Sequence, residues 1–213
     1  MKAFIFDLDG TLLDSMDVWH KIDIDFLLKR GISVPSDYAN AISSMTFDEA
    51  AAYTIRRFEL SDNIESLKQE WNDMAEYAYG HTVKLKPYAK EYLTILKDHG
   101  VKLAVATSLF SRLLELVLNN HGIYDYFDVI CTTEEAGFGK SHPAVFLMTS
   151  EKLGVLPCDC LVFEDIFVAV KSAKSIGMAV CGVYDKSSYT DWEKIKELSD
   201  YVIFDFHNAP LCY

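Results

Sequence analysis

The 213-residue sequence predicts an α/β fold, a Rossmann-like, mainly parallel sheet flanked by helices with an α-helical insertion, on three observations. Six short apolar, β-rich segments recur, at residues 3–8, 102–107, 129–131, 161–163, 178–183 and 201–204. After the first, the stretches between them are mostly helical in pattern, and alternation of buried strand with helix is how a parallel sheet is written in sequence. Residues 15–80 break that rhythm with helical patterns and few strand signals, which a helical insertion explains economically.

The elements follow in order. Residues 3–8 form an apolar run that meets its first acid at Asp7. The insertion reads as helices over residues 18–30, 47–58 and 64–79, which divides the chain into a core of residues 1–14 and 81–213 and an inserted domain of residues 15–80. Leu93, Leu96 and Lys97 keep a helical period up to a stop at His99-Gly100. Leu113, Leu114, Val117 and Leu118 repeat it before His121-Gly122, and Phe146, Leu147 and Leu153 before Gly154. Ligands of such sheets bind beyond the C-terminal strand ends, so the residues that close each strand are the ones to inspect.

Composition removes several classes of function. Half of the residues are apolar and 24% are charged, as in ordinary globular proteins, and no charge-free apolar window of 18 residues exists to span a membrane. The N-terminal apolar run is too short for a signal peptide, so a cytoplasmic protein is expected. A net charge of −12 argues against a nucleic-acid partner and a polybasic membrane contact. An anionic ligand would need a locally positive site: a metal ion, a lysine or helix N-termini. The five cysteines are odd in number and irregular in spacing, so reduced thiols are expected. Cys158-Asp159-Cys160 has no second Cys/His pair nearby to complete a zinc site. A monomer is the default expectation.

Four strand-end or loop motifs carry the chemistry. Phe4-Ile5-Phe6-Asp7-Leu8-Asp9-Gly10-Thr11-Leu12 runs an apolar strand into two acids and a glycine that permits a sharp turn. Ala104-Val105-Ala106-Thr107-Ser108 ends a strand in hydroxyls before a helical run, a junction suited to a phosphate oxygen or to plain helix capping. Lys140 sits in the loop Gly137-Phe138-Gly139-Lys140-Ser141-His142-Pro143, where a lysine either is solvated or neutralises an anion. Cys160-Leu161-Val162-Phe163-Glu164-Asp165 ends another buried strand in an acid pair, as helix cap or as ligands. Gathered in one cleft, carboxylates about 4 Å apart would repel by roughly 4 kcal/mol per pair at an effective dielectric of 20. A divalent cation with hard oxygen ligands resolves that repulsion, and Mg²⁺ fits it best.

In the order of these motifs, D-x-D-G-T, then Thr/Ser, then Lys, then Glu-Asp, the whole chain resembles the haloacid dehalogenase superfamily of phosphotransferases. The resemblance is to the branch with a helical cap after the first strand, which includes β-phosphoglucomutase and phosphoglycolate phosphatase. It implies a Mg²⁺-dependent enzyme in which Asp7 attacks phosphorus and becomes an aspartyl-phosphate. Asp9 would protonate the leaving oxygen and then deprotonate a water. Thr107, Ser108 and Lys140 would hold the phosphoryl oxygens. Asp7, the backbone carbonyl of Asp9, and Asp165 would hold the metal, with Glu164 bound directly or through water. Residues 15–80 would form the cap, with Trp19, His20 and Met45 as substrate contacts. The sequence departs from the family where Ile166-Phe167-Val168-Ala169 replaces the frequent Ser-x-x-Gly, and where the usual Lys-Pro is loosened to Lys140-Ser141-His142-Pro143.

A phosphomonoester hydrolase acting on a small phosphorylated metabolite is the expected function, with a β-phosphoglucomutase-like mutase as the alternative. Those mutases carry a histidine near the cap hinge and a Gly-x-x-Arg loop for a second phosphate. Here Trp19 takes the histidine's register, with His20 one place later, and residues 41–46 contain neither Gly nor Arg. A receiver-like signalling domain is shorter and places its phosphorylated Asp on a later strand. A dehalogenase of the same fold generally lacks the second acid, which Asp9 supplies here.

Overall fold

Every apolar segment expected as a strand forms one. The computed structural model describes residues 1–42, 45 and 47–211. Its strands are β1 (Ala3–Phe6), β2 (Leu13–Asp14), β3 (Lys84–Leu85), β4 (Lys102–Thr107), β5 (Val129–Thr132), β6 (Cys160–Glu164), β7 (Ala179–Val183) and β8 (Tyr201–Ile203). Among the described residues, β1 and β4 to β8 make one parallel sheet ordered β5-β4-β1-β6-β7-β8. Strands run outward from β1 in both directions, so the order reverses there and a crevice opens at the C-terminal ends of β4, β1 and β6. Phe6 lies opposite both Val105 and Phe163, which brings the ends of these three strands to one edge.

Ala3 to Phe6 are fully buried because both sheet faces are covered. Alternation along β1 sends Ala3 and Ile5 to a layer with Ala104, Ala106, Val162, Phe146 and Val170. On β1's alternate positions, Phe6 stacks on Phe163, with centroids 4.6 Å apart, and meets Tyr92 and Phe206 edgewise or tilted.

The chain divides into two compact units, Met1–Met16 with Val83–Tyr213, and Asp17–Thr82. The second unit holds α1 (Val18–Leu28), α2 (Tyr38–Ile42), α3 (Phe47–Phe58) and α4 (Ile64–Tyr77). Its core packs Phe26 against Trp71 and Phe47 against Trp71. Arg30 ties it together through ion pairs to Asp62 and Glu70 while lying over the Phe26 ring. The Asn63 side chain and Ser66 form a reciprocal capping box that starts α4. The first helix stops at Leu28 rather than residue 30, where the backbone N–H groups of Gly31 and Ile32 turn back onto Leu28 and Leu27. Helix α2 was not anticipated. Of the loop expected to reveal a mutase, residues 43, 44 and 46 lie outside the described residues.

The α/β unit carries α5 (Ala89–Asp98), α6 (Ser111–Asn120), α7 (Thr133–Ala136), α8 (Ala144–Leu153), α9 (Phe167–Ser175) and α10 (Trp192–Leu198). Helices α5, α6 and α8 end at the expected stops. Of the expected period, Phe146 and Leu153 are buried whereas Leu147 is 41% exposed; α8 also buries Val145, Thr149 and Ser150. Sequence periodicity also missed the two-residue antiparallel pair of β2 with β3, Leu13 opposite Leu85 and Asp14 opposite Lys84. The Lys86 N–H extends it by donating to the Leu12 carbonyl at 2.8 Å. The Lys86 ammonium is buried on Asp185 and on the Tyr184 carbonyl, each at 2.8 Å. Cys131, Cys158 and Cys160 are free thiols, Cys181 is buried, and Cys212 lies outside the described residues. Among the described residues, no helix is long and apolar enough to cross a membrane.

Candidate active site

The strand β1 ends at Phe6, two residues short of the expected segment, because Asp7 begins a tight loop. The Asp7 N–H still reaches the Phe163 carbonyl at 3.1 Å, which fixes the residue at the sheet edge. Beyond it, the N–H groups of Thr11 and Leu13 both donate to the Leu8 carbonyl, and Gly10 donates to Leu13. Leu8, Leu12 and Leu13 are fully buried and anchor this loop. Gly10 adopts φ +80°, and a Cβ there would sit 2.3 Å from Asp165 Oδ2. The glycine is therefore needed for close approach of the loop to Asp165 as well as for the turn.

That approach builds a buried carboxylate cluster. Asp7, Glu164 and Asp165 each offer an oxygen within 4.8 Å of the others. Asp7 is 4% exposed, and Glu164 and Asp165 are fully buried. The Lys140 ammonium donates to Asp7 Oδ1 and to Glu164 Oε1. Glu164 Oε2 accepts the backbone N–H groups of Asp165 and Ile166 at 3.1 and 3.3 Å. Asp165 Oδ1 accepts from the Thr11 hydroxyl at 2.9 Å, whereas its Oδ2 is buried without a hydrogen-bond partner.

The electrostatics follow from burial. Burial pushes Glu164 and Asp165 above the usual carboxylate range, and the neighbouring acids push in the same direction. Burial alone would lower the Lys140 pKa, but the charges of Asp7 and Glu164 outweigh it and hold the ammonium above its ordinary value. With all three carboxylates ionised, one ammonium would leave a double negative charge uncompensated in a buried pocket, which is why burial favours their protonated forms unless a cation binds. The orphaned Asp165 oxygen and the all-oxygen donor set fit a small, hard divalent cation. With both Glu164 oxygens already hydrogen-bonded, Asp7 and Asp165 are the carboxylates best placed to touch such an ion directly.

The other candidates are distributed as follows. Asp9 lies in the loop with its Oδ1 accepting the Ser15 hydroxyl at 2.6 Å. Thr107 closes β4 beside β1, is 1% exposed, and accepts the Leu109 N–H on its hydroxyl at 3.2 Å. Ser108 follows it and is exposed. Trp19, His20 and Met45 belong to the helical unit. There Trp19 packs edgewise on Phe47 at 5.9 Å, and His20 is exposed near Asp23. Sequence reasoning missed Thr11 and Ser15 as supports of the acids. Thr11 stood in the quoted motif, but only the tertiary approach of Asp165 gives its hydroxyl a purpose.

A family model described as haloacid dehalogenase-like hydrolase matches residues 4–183. A phosphorylated carbohydrates phosphatase of Thermotoga maritima is 29% identical over 178 residues, which is 84% of this chain and 82% of that protein. An Escherichia coli fructose-1-phosphate phosphatase is 26% identical, covering 83% of this chain and 93% of its own length. Among solved structures, a Thermotoga maritima protein assigned as a β-phosphoglucomutase superposes with a TM-score of 0.82 at 26% identity, over 95% of this chain and 94% of that one.

Proposed function

The chain belongs to the haloacid dehalogenase-like hydrolase family, and from that premise we propose that it is a Mg²⁺-dependent phosphatase of a small phosphorylated metabolite that works through a phosphorylated Asp7. The observation that carries this reading is the buried grouping of Asp7, Glu164 and Asp165 around Lys140 at one sheet edge. Relatives named for phosphatase activity on phosphorylated carbohydrates and on fructose 1-phosphate support it.

In this mechanism an Asp7 oxygen forms a bond to phosphorus as the ester P–O bond breaks, and Asp9 gives its proton to the departing alcohol oxygen. The Asp9 carboxylate then takes a proton from water, the water oxygen attacks phosphorus, and the Asp7–phosphorus bond breaks to release phosphate. Ser15 fixes one oxygen of Asp9 and so orients its carboxyl. Lys140 offsets negative charge on the phosphoryl group while staying on Asp7, and Glu164 holds the Lys140 ammonium in place. Thr107 and Ser108 supply donors at the end of β4. Asp7, Asp165 and the Asp9 backbone carbonyl would hold Mg²⁺, with Glu164 acting through water. When bound, the ion supplies charge neutralisation at the carboxylates and the phosphoryl oxygens. The helical unit is the cap, excluding water and offering Trp19, His20 and Met45 to the substrate. The enzyme acts as a cytoplasmic monomer on a small ester, and its acidic composition speaks against nucleic acid as the partner.

The test is phosphate release from fructose 1-phosphate, glycerol 1-phosphate and phosphoglycolate, with Mg²⁺ and after exhaustive chelation. Acid-quenched turnover should leave a phosphoryl mass increment on the Asp7 peptide, and Asp7→Asn should abolish both signals with the fold intact. Turnover that survives chelation or Asp7→Asn overturns the reading. The likeness to the protein assigned as a β-phosphoglucomutase favours one second reading. Interconversion of glucose phosphates with a bisphosphate activator, without net phosphate release, would select it.

A further inference from the structure

Among the described residues two lysines are buried, Lys140 in the carboxylate cluster and Lys86 outside it. The Lys86 ammonium donates to Asp185 Oδ2 and to the Tyr184 carbonyl, just past the end of β7, each at 2.8 Å. Asp185 is fixed in turn, because its Oδ1 accepts the Ser187 N–H at 2.8 Å and the Ser187 hydroxyl at 2.7 Å. A buried ion pair is a poor source of stability, since an apolar pair of similar volume commonly serves as well or better. What it adds is direction, with bonds of set length from one side chain to two neighbouring acceptors.

The same lysine is bonded through its backbone to the loop that carries Asp9. Its N–H donates to the Leu12 carbonyl at 2.8 Å, continuing the pairing of β2 with β3. Leu13 of β2 bridges Asp9, and its carbonyl accepts the Gly10 N–H at 3.0 Å. Ser15, the residue after β2, donates its hydroxyl to Asp9 Oδ1 at 2.6 Å. All of these residues lie in the α/β unit. The two candidate reacting acids are thus held by different parts of that unit. Asp7 is set by β1 and by its N–H on the Phe163 carbonyl of β6. Asp9 lies past the end of β1, on a loop braced by a strand whose own anchor is Asp185.

Building on the reading of Asp9 as proton donor and acceptor, we propose that Lys86 and Asp185 are positioning residues for Asp9. The buried pair fixes β3, and β3 fixes the loop that presents the Asp9 carboxyl. A group misplaced by about 1 Å can lose on the order of a hundredfold in rate. The pair therefore acts on proton transfer to the departing oxygen, whereas the attack of Asp7 on phosphorus depends on the sheet.

The experiment compares glycerol 1-phosphate with p-nitrophenyl phosphate in the presence of Mg²⁺. The glycerol oxygen needs a proton as its bond to phosphorus breaks, whereas p-nitrophenolate departs as a stable anion. The ratio of kcat/KM for glycerol 1-phosphate over p-nitrophenyl phosphate therefore reads the work of Asp9, and Asp9→Asn sets its lower limit. The ratio should fall about tenfold or more in Lys86→Met and in the double variant Lys86→Met/Asp185→Leu, chiefly through kcat for the alkyl ester. The double variant leaves no unpaired buried charge and should melt close to wild type, so it carries the test if Lys86→Met does not fold. A wild-type ratio in the folded double variant, or an equal loss on both esters, overturns the proposal. A ratio unmoved by Asp9→Asn overturns it together with the role given to Asp9. Were no ester turned over by wild type, the phosphatase reading would fail by itself, and amide hydrogen exchange would decide the bracing. Faster exchange at Gly10 and Leu13 in the double variant, with Asp7 unchanged, upholds it, and unchanged exchange at Gly10 overturns it.

Discussion

Gly10→Ala separates two demands that the structure places on one glycine. At φ +80° any L-residue is strained, by about 1–2 kcal/mol. The new Cβ would also lie 2.3 Å from Asp165 Oδ2 and 2.7 Å from Asp165 Cγ, so the carboxylate must move. Asp165 is fully buried and held by Thr11, and displacing a hydrogen-bonded carboxylate costs a further ~1.5–3 kcal/mol. The total is about 2.5–5 kcal/mol, a large part of the ~5–15 kcal/mol that holds a typical domain. Gly100→Ala is the internal control: φ is +71°, but no atom lies within 4 Å of the added methyl, so only the backbone strain of about 1–2 kcal/mol remains. In urea unfolding, Gly10→Ala should therefore lower the midpoint roughly two to three times as far as Gly100→Ala does, with unchanged m. Mg²⁺ should protect Gly10→Ala less than wild type against heat. Equal losses in the two variants, or undiminished Mg²⁺ protection of Gly10→Ala, would refute the claim that the loop presses against Asp165.

Thr11→Val removes the buried donor to Asp165 at nearly constant volume, and should cost about 1.5–3 kcal/mol in urea unfolding while weakening Mg²⁺ protection. Asp185 is held below the usual carboxylate range, because Lys86 and Ser187 outweigh the upward push of burial. Its contribution is present above about pH 3.8 and is lost as pH falls through the lower folded value, so Asp185→Asn should cost about 3–5 kcal/mol at pH 7 by leaving Lys86 buried and unpaired. The gap to wild type should close toward pH 2–3, and a gap constant with pH would count against the ion pair. Burial pushes Asp23 up to about 6, against a pull downward from His20. Folding then favours its protonated form, so wild-type stability should decline as pH rises from about 3.8 through 6, and Asp23→Asn should melt higher than wild type at pH 7.5 but nearly equal at pH 4. A melting difference that widens toward acid would be the wrong sign.

The sheet was legible because its central strands are buried on both faces and therefore appear as uninterrupted apolar runs, as at residues 3–6 and 160–163. Strands of two residues leave no such trace, and the pairing of Leu13 with Leu85 joins segments some seventy positions apart, beyond any local period. Leu147 shows the complementary failure: its spacing suits the buried face of α8, but its side chain is turned outward. In the site, Asp7, Glu164 and Asp165 were readable as acids at strand ends, and topology then explains why they meet. Lys140 alone looks like any loop lysine, and its partners come from β1 and β6. The reason for Gly10 was half legible: the turn was written in the sequence, whereas the close approach to Asp165 depends on two strands being neighbours.

The short ladder of β2 with β3 has an evolutionary consequence. It holds the departure and return of the excursion through residues 17–82 side by side, with Leu12 bonded to Lys86 and Lys86 locked to Asp185. Opposed residues of an antiparallel pair stand about 5 Å apart, a gap that a tight turn closes. Insertions, losses or wholesale exchange of the helical segment thus leave the six-stranded sheet and its carboxylates undisturbed, so one part of the gene is free to change in length and composition while the other keeps its frame.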